Sequence, residues 1–212
     1  MLTSDELLGA AVAARGPQRP STEPLDVAAG ALHRREVAAP NVSLCVAGTH
    51  GGAGASTLTA LLGAGAFDAG VAWPVAGGWA RPLPVLPVVL VARTHGAGLS
   101  AAERAARSWA AGELAESRLL GIVLVDDAPQ LTKAQKAAAK RVSLMTPRGW
   151  HIAWQPEWRE VEAPAADALP VRVRRTLEDI RKLAAAAASE PPKTPTVHRQ
   201  PQASETEPRR VP

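Results

Sequence analysis

Continuous apolar runs alternate along this chain with segments whose apolar residues recur three and four positions apart. Val42–Gly48, Leu86–Ala92 and Leu119–Val125 are such runs, each followed by a polar or glycine-rich turn. Strands buried on both faces, as in parallel sheets, read this way. Behind the first run, Ser56–Ala64 carries Leu58, Leu61 and Leu62 on one face and predicts a helix. Behind the second, Ser100 with Glu103 has the spacing of a capping box, and Ala102, Ala105, Ala106 and Trp109 line an inner face that ends near Gly112. Behind the third, Thr132 with Gln135 caps a helix through Leu144, with Lys133, Lys136, Lys140 and Arg141 outward. Trp150–Trp154 predicts a last short strand, and Ala69–Pro74 a short strand or extended piece. A turn-rich loop over Gly77–Pro84 carries Trp79 and Arg81. Strand, helix, strand, helix, strand, helix, strand predicts an α/β fold: a small three-layer domain on a mostly parallel sheet with right-handed crossovers.

The ends differ from the middle. Thr3–Glu6 opens a short amphipathic segment, Gly16–Ser21 breaks it, and a weak helical stretch from Leu25 to Arg35 stops at Pro40. Residues 1–40 therefore read as a mobile arm with a short helix, and 41–160 as the α/β domain. Residues 161–188 read as a linker and a basic helix over Val171–Ala188, with Val173, Leu177 and Ile180 amid Arg172, Arg174, Arg175, Arg181 and Lys182. Residues 189–212 are Pro-rich and polar, too poor in apolar side chains to fold alone. The 212 residues suit one domain with tails. A net charge of +4 does not by itself imply nucleic acid. The single cysteine, Cys45, lies in the first strand, so no intramolecular disulfide forms and a reducing cytoplasm is the expected compartment. No apolar run is long enough to span a bilayer, and the N-terminus lacks the plan of a signal peptide.

Candidate chemistry concentrates where the first strand ends. Thr49-His50-Gly51-Gly52-Ala53-Gly54-Ala55-Ser56-Thr57 joins strand to helix through three glycines. Such a loop gathers backbone N–H groups into one concavity, and the helix start adds its positive end. Aligned on Gly54, a Walker A loop would have its first glycine at Thr49, its lysine at Ala55 and its magnesium-binding hydroxyl at Ser56. The nest and hydroxyl are present, and the lysine is not.

These residues resemble the deviant Walker A loops of the ParA/MinD superfamily, usually Lys-Gly-Gly-x-Gly-Lys-Ser/Thr, with His50 at the first lysine and Ala55 at the second. The nearest likeness is to the CpaE/TadZ branch, whose loops can read Gly-Gly-x-Gly-Ala-Ser, and to an uncharacterised group from high-GC bacteria. The resemblance is specific over Val42–Gly63 and vaguer out to Arg159. It implies a P-loop NTPase-like domain reduced relative to ParA/MinD. His50, Gly51, Gly52, Ala53, Gly54, Ala55, Ser56 and Thr57 would face phosphate, and Ser56 would face magnesium. ATP or ADP with magnesium is the implied cofactor, bound weakly or not at all. Such ATPases also need a strand-end acid. Between Gly65 and Leu86 only Asp68 is acidic, so the switch regions read as deleted and hydrolysis is not expected.

Ligands of parallel sheets sit beyond the carboxyl ends of the strands. That edge should hold His50, Arg93, His95, Asp126 and Gln155, with Arg93, His95 and Asp126 as further ligand-edge candidates. Trp150, Trp154 and Trp158 suit a core or interface better than base stacking. Three functions stay open: a non-hydrolysing scaffold or nucleotide-gated module in a ParA/MinD/CpaE-type system, a weak partition or positioning ATPase, and a DNA-associated accessory protein using the basic helix and tail. The first implies an unidentified protein partner and leaves a homodimer open; nucleic acid is not favoured.

Overall fold

The structure, a computed structural model, describes residues 14–22, 32–38, 42–78, 83–161, 164–165 and 169–189. Its elements are β1 (Ala14–Arg15), β2 (Arg34–Ala38), β3 (Leu44–Gly48), α1 (Ala55–Leu62), β4 (Ala66–Gly70), β5 (Trp73–Gly77) and β6 (Pro87–Arg93). There follow α2 (Gly96–Ala110), β7 (Arg118–Val125), α3 (Lys133–Leu144), β8 (Arg148–Ile152), a 3-10 turn (Pro156–Arg159) and α4 (Val171–Ala188).

Six strands form the main sheet in the order β1-β8-β7-β6-β3-β4. Only the pairing of β1 with β8 is antiparallel; the other four are parallel. Alternation along the buried strands divides the core into two layers. Cys45, Ala47, Val88, Leu90, Ile122 and Leu124 pack toward α2 and α3, which contribute Ala102, Ala105, Trp109 and Val142. Leu44, Val46, Val89, Val91, Val123 and Ile152 pack toward α1 and α4, which contribute Leu58, Leu61, Val173, Leu177 and Ile180. The protein is thus a three-layer α/β domain with α1 and α4 on one face and α2 and α3 on the other.

From β3 the chain moves outward to β4, whereas β6, β7 and β8 are added on the other side of β3. Helices on opposite faces are what right-handed crossovers require when strands are added in opposite directions. The order therefore switches between β3 and β6, and the crevice beyond the carboxyl ends of these strands is the place such a fold offers a ligand.

Several expectations need correction. Arg34 and Arg35 do not end a helix: they open β2, which pairs in parallel with β5 and buries Val37. The piece expected over Ala69–Pro74 divides into β4 and β5, because Gly70 turns the chain at a positive φ of 65°. The arm assigned to residues 1–40 contributes two strands, since β1 pairs with β8 and Gln18 Nε2 donates to the Pro147 carbonyl. Gly16 permits that approach, as a Cβ there would lie 2.2 Å from the Leu144 carbonyl oxygen. The 171–188 helix belongs to the domain, because its apolar stripe completes the α1-side core. The last strand lies over Arg148–Ile152, two residues earlier than Trp150–Trp154. α3, with its Thr132–Gln135 capping box, and α4 fall where their periodicity puts them. Trp79, Arg81, the Thr3–Glu6 segment and the tail from residue 190 lie outside the described residues.

Candidate functional site

β3 is buried along its whole length and delivers the chain to the loop at Thr49. Gly52 and Gly54 adopt positive φ values of 73° and 100°, conformations costly for any side chain with a Cβ. A Cβ on Gly51, Gly52 or Gly54 would meet nothing within 4 Å, so none of them serves close packing, and Gly52 and Gly54 serve backbone conformation. The loop closes on itself through Ala53 N–H to the His50 carbonyl, 3.3 Å. Gly54 is the N-cap of α1 and supplies no side chain. The first bond into the helix is Leu58 N–H to the Gly54 carbonyl, 2.9 Å, so the N–H groups of Ala55, Ser56 and Thr57 have no partner within α1. At the base of the loop Thr49 is buried, and its hydroxyl has no partner.

The other end of α1 is closed. Arg181 of α4 donates from Nη2 to the Leu61 carbonyl at 2.7 Å and from Nε to the Leu62 carbonyl at 3.1 Å. A cation there offsets the negative end of the helix. Arg181 is thereby withdrawn from the basic surface that a nucleic-acid reading of α4 would use.

One side chain from each neighbour of β3 flanks the loop. On β4, Asp68 pairs with Val46 and shares its face, toward α1. Its Oδ2 accepts from Ser56 Oγ at 2.5 Å and its Oδ1 from Gly70 N–H at 2.8 Å. The sole acid of this stretch therefore stands at the Ser56 hydroxyl, on the edge strand β4. The only signal in the sequence is that Asp68 is the sole acid between Gly65 and Leu86, two positions before the turn at Gly70. On β6, Val89 and Val91 face α1, and the same alternation turns Arg93 to that side. Arg93 lines a cleft with Gly54, Thr57, Leu58, Ile152 and Trp158. Its Nη1 donates to the Asp126 carbonyl at 3.1 Å, and it makes no ion pair among the described residues. Burial lowers its pKa; Asp127 opposes that shift and Arg159 adds to it.

The histidines hold backbone. Arg93 N–H donates to His50 Nε2 at 3.1 Å, which leaves the ring proton on Nδ1 to donate to the Gly51 carbonyl at 2.8 Å. With both nitrogens engaged, His50 does not stand in for a lysine. His95 Nδ1 accepts from Gly98 N–H at 3.0 Å, which makes His95, and not Ser100, the cap of α2. The two rings meet edge to face at 5.0 Å in the crevice between β3 and β6. Gly98 permits this, because a Cβ there would sit 2.3 Å from the Arg93 carbonyl oxygen and 2.9 Å from His50 Nε2.

Asp126 is buried apart from the loop. Its Oδ1 accepts from His151 Nε2 at 2.8 Å and Thr94 Oγ1 at 3.3 Å. Sequence reasoning missed this pairing, which only the parallel register of β7 with β8 creates. The tryptophans also separate. Trp150 is in the core with Nε1 donating to Asp179 at 2.9 Å, Trp154 lies under Arg159 at 4.6 Å, and Trp158 lines the cleft. Gln155 turns back to the Ala153 carbonyl at 3.1 Å. No group of three or more metal-ligating side chains occurs among the described residues, and no described helix is long and apolar enough to cross a membrane.

The class defined so far is a three-layer α/β protein with a glycine-rich strand–loop–helix at the switch point of its sheet. Residues 42–177 match a family of unknown function (DUF6668), and the chain belongs to that family. No curated protein and no solved structure matches it.

Proposed function

We propose that this protein is a P-loop-like regulatory module that binds a phosphoryl ligand, in keeping with its resemblance to ParA/MinD/CpaE-type proteins. It holds nucleotide weakly and presents the bound state to a protein partner without turning it over. The carrying observation is the unsatisfied N-terminus of α1 behind Gly52 and Gly54, with Asp68 on one flank and Arg93 on the other. Backbone N–H groups and a helix positive end favour anions.

Ser56 and Asp68 are hard oxygen donors and fit a magnesium ion brought with the nucleotide. When bound, the ion would offset phosphoryl charge. Hydrolysis also needs a loop cation and a positioned water; position 55 is alanine and both nitrogens of His50 are engaged. Calorimetric titration of ADP with and without magnesium, beside an ATP turnover assay, tests the reading. Weak magnesium-assisted binding with turnover at the blank supports it; the absence of any binding overturns it.

The contact of Ser56 with Asp68 favours one second reading, a slow ATPase of partition or positioning type. Turnover above the blank that Asp68→Asn abolishes would establish it over the scaffold.

A further inference from the structure

The loop lacks its lysine, yet a cation lies close by on the neighbouring strand. Position 55 carries a methyl group, so nothing on α1 reaches a ligand with positive charge. Three facts bear on what replaces it. Arg93 ends β6, which pairs directly with the loop's own strand, Gly48 lying opposite Val91. The side chain is half-buried in the cleft that Gly54 and Thr57 also line. Its hydrogen bond to the Asp126 carbonyl uses one of five guanidinium donors, and no carboxylate neutralises it among the described residues. Asp127, the acid whose charge acts on it, pairs instead with Arg159, whose Nη2 stands 3.9 Å from Oδ1.

A cation taken partly out of water and left without an ion partner is costly unless an anion meets it. The Thr49 hydroxyl, buried and unpartnered at the base of the same loop, is a second polar group left without a protein partner. We propose that Arg93 is the phosphate-binding cation of this site, reaching from the neighbouring strand to supply the charge that Ala55 does not. This inference rests on the phosphate reading of the loop. Arg93 then binds a ligand oxygen from the β6 side, opposite the flank held by Ser56 and Asp68. With the loop N–H groups holding one phosphoryl group and the planar guanidinium of Arg93 holding another from the β6 side, a ligand with adjacent phosphoryl groups is favoured over a single phosphate.

The test uses pyrophosphate and inorganic phosphate as probes, by calorimetry on the full chain. Compared are the wild type, Arg93→Gln, Arg93→Lys and the double variant Arg93→Gln/Ala55→Lys. The expected result is a preference for pyrophosphate, a loss of about ten- to a hundredfold in Arg93→Gln, a smaller loss in Arg93→Lys and recovery in the double variant. Because Arg93 supports Asp126, Arg93→Gln could fail to fold. The wild type therefore carries a second readout: modification of Arg93 by phenylglyoxal, located by peptide mass spectrometry, should slow when pyrophosphate is bound. Undiminished affinity in a folded Arg93→Gln, or modification of Arg93 that bound pyrophosphate does not slow, overturns the assignment and leaves the loop reading standing. A wild type that binds neither probe overturns the loop reading, and the role of Arg93 with it.

Discussion

Two helices of this sheet begin in opposite ways. α3 closes its N-terminus with its own side chains: Thr132 Oγ1 accepts from Gln135 N–H at 3.2 Å and Gln135 Oε1 from Thr132 N–H at 2.9 Å. α1 begins at a glycine in the left-handed region with no side-chain cap, although its far end is bonded by Arg181. α2 sides with α3, through His95. A cap of this kind contributes about 1 kcal/mol. Two helix starts are thus closed by side chains from within, whereas α1 and α4, whose N-cap Pro170 supplies no side chain either, are not; of these two only α1 begins behind a glycine-rich loop at the switch point.

The comparison can be broken or sharpened by substitution, beginning with the greatest effect. Gly98→Ala forces a Cβ to 2.3 Å from the Arg93 carbonyl oxygen, at the junction of the closed α2 and the open loop. A loss of about 3 kcal/mol is expected in urea unfolding, together with release of His50. An unchanged midpoint would mean that the crevice is less tightly built than described.

Ala55→Lys should give the open end the charge it lacks. Tighter nucleotide binding by about 1.5–3 kcal/mol is expected, with turnover still at the blank. Because Asp68 stands at Ser56, turnover in this variant that Asp68→Asn removes would reveal a latent ATPase and end the scaffold reading.

Thr132→Ala opens α3 as α1 is open. Stability should fall by about 1 kcal/mol with nucleotide affinity unchanged, read by thermal melting and calorimetry. A change in affinity would mean that the two ends are coupled, for instance through Gln135 Nε2, which donates to the Thr94 carbonyl at 3.2 Å.

The smallest effect belongs to Cys45, fully buried in β3, whose pKa burial raises to about 12. Its thiol should resist iodoacetamide at pH 8 in the folded protein. Since the folded state holds this proton more tightly than the unfolded chain, the contribution is complete below about pH 8.5 and falls as pH rises toward 12. Labelling as fast as in urea would contradict the burial.

Local pattern carried the elements that are strongly periodic or capped by neighbours in sequence. The runs at Leu86 and Leu119, the box at Thr132 and Gln135, and the stripe Val173, Leu177, Ile180 all sit where the chain alone puts them. What was hidden depends on register between distant segments. Asp68 meets Ser56 because β4 lies beside β3 with Asp68 opposite Val46, and nothing within five residues of Asp68 announces that. β2 has four exposed residues in five, and its first two, Arg34 and Arg35, read as the end of a helix, since its partner β5 lies far along the chain. Ser100 has Glu103 at the spacing of a cap, but Gly98 lets His95 take that place five residues earlier.

The claim that the α1 start is a phosphate site is tested most directly by titrating magnesium–ADP into the wild type and Gly52→Val, with Cys45→Ala as control. Valine at a φ of 73° would distort the nest as well as fill it. The account predicts a dissociation constant of about 0.1 mM, near −5.5 kcal/mol, in the wild type and the control, and no measurable binding in Gly52→Val. No binding in the wild type, or equal binding in Gly52→Val, would contradict it.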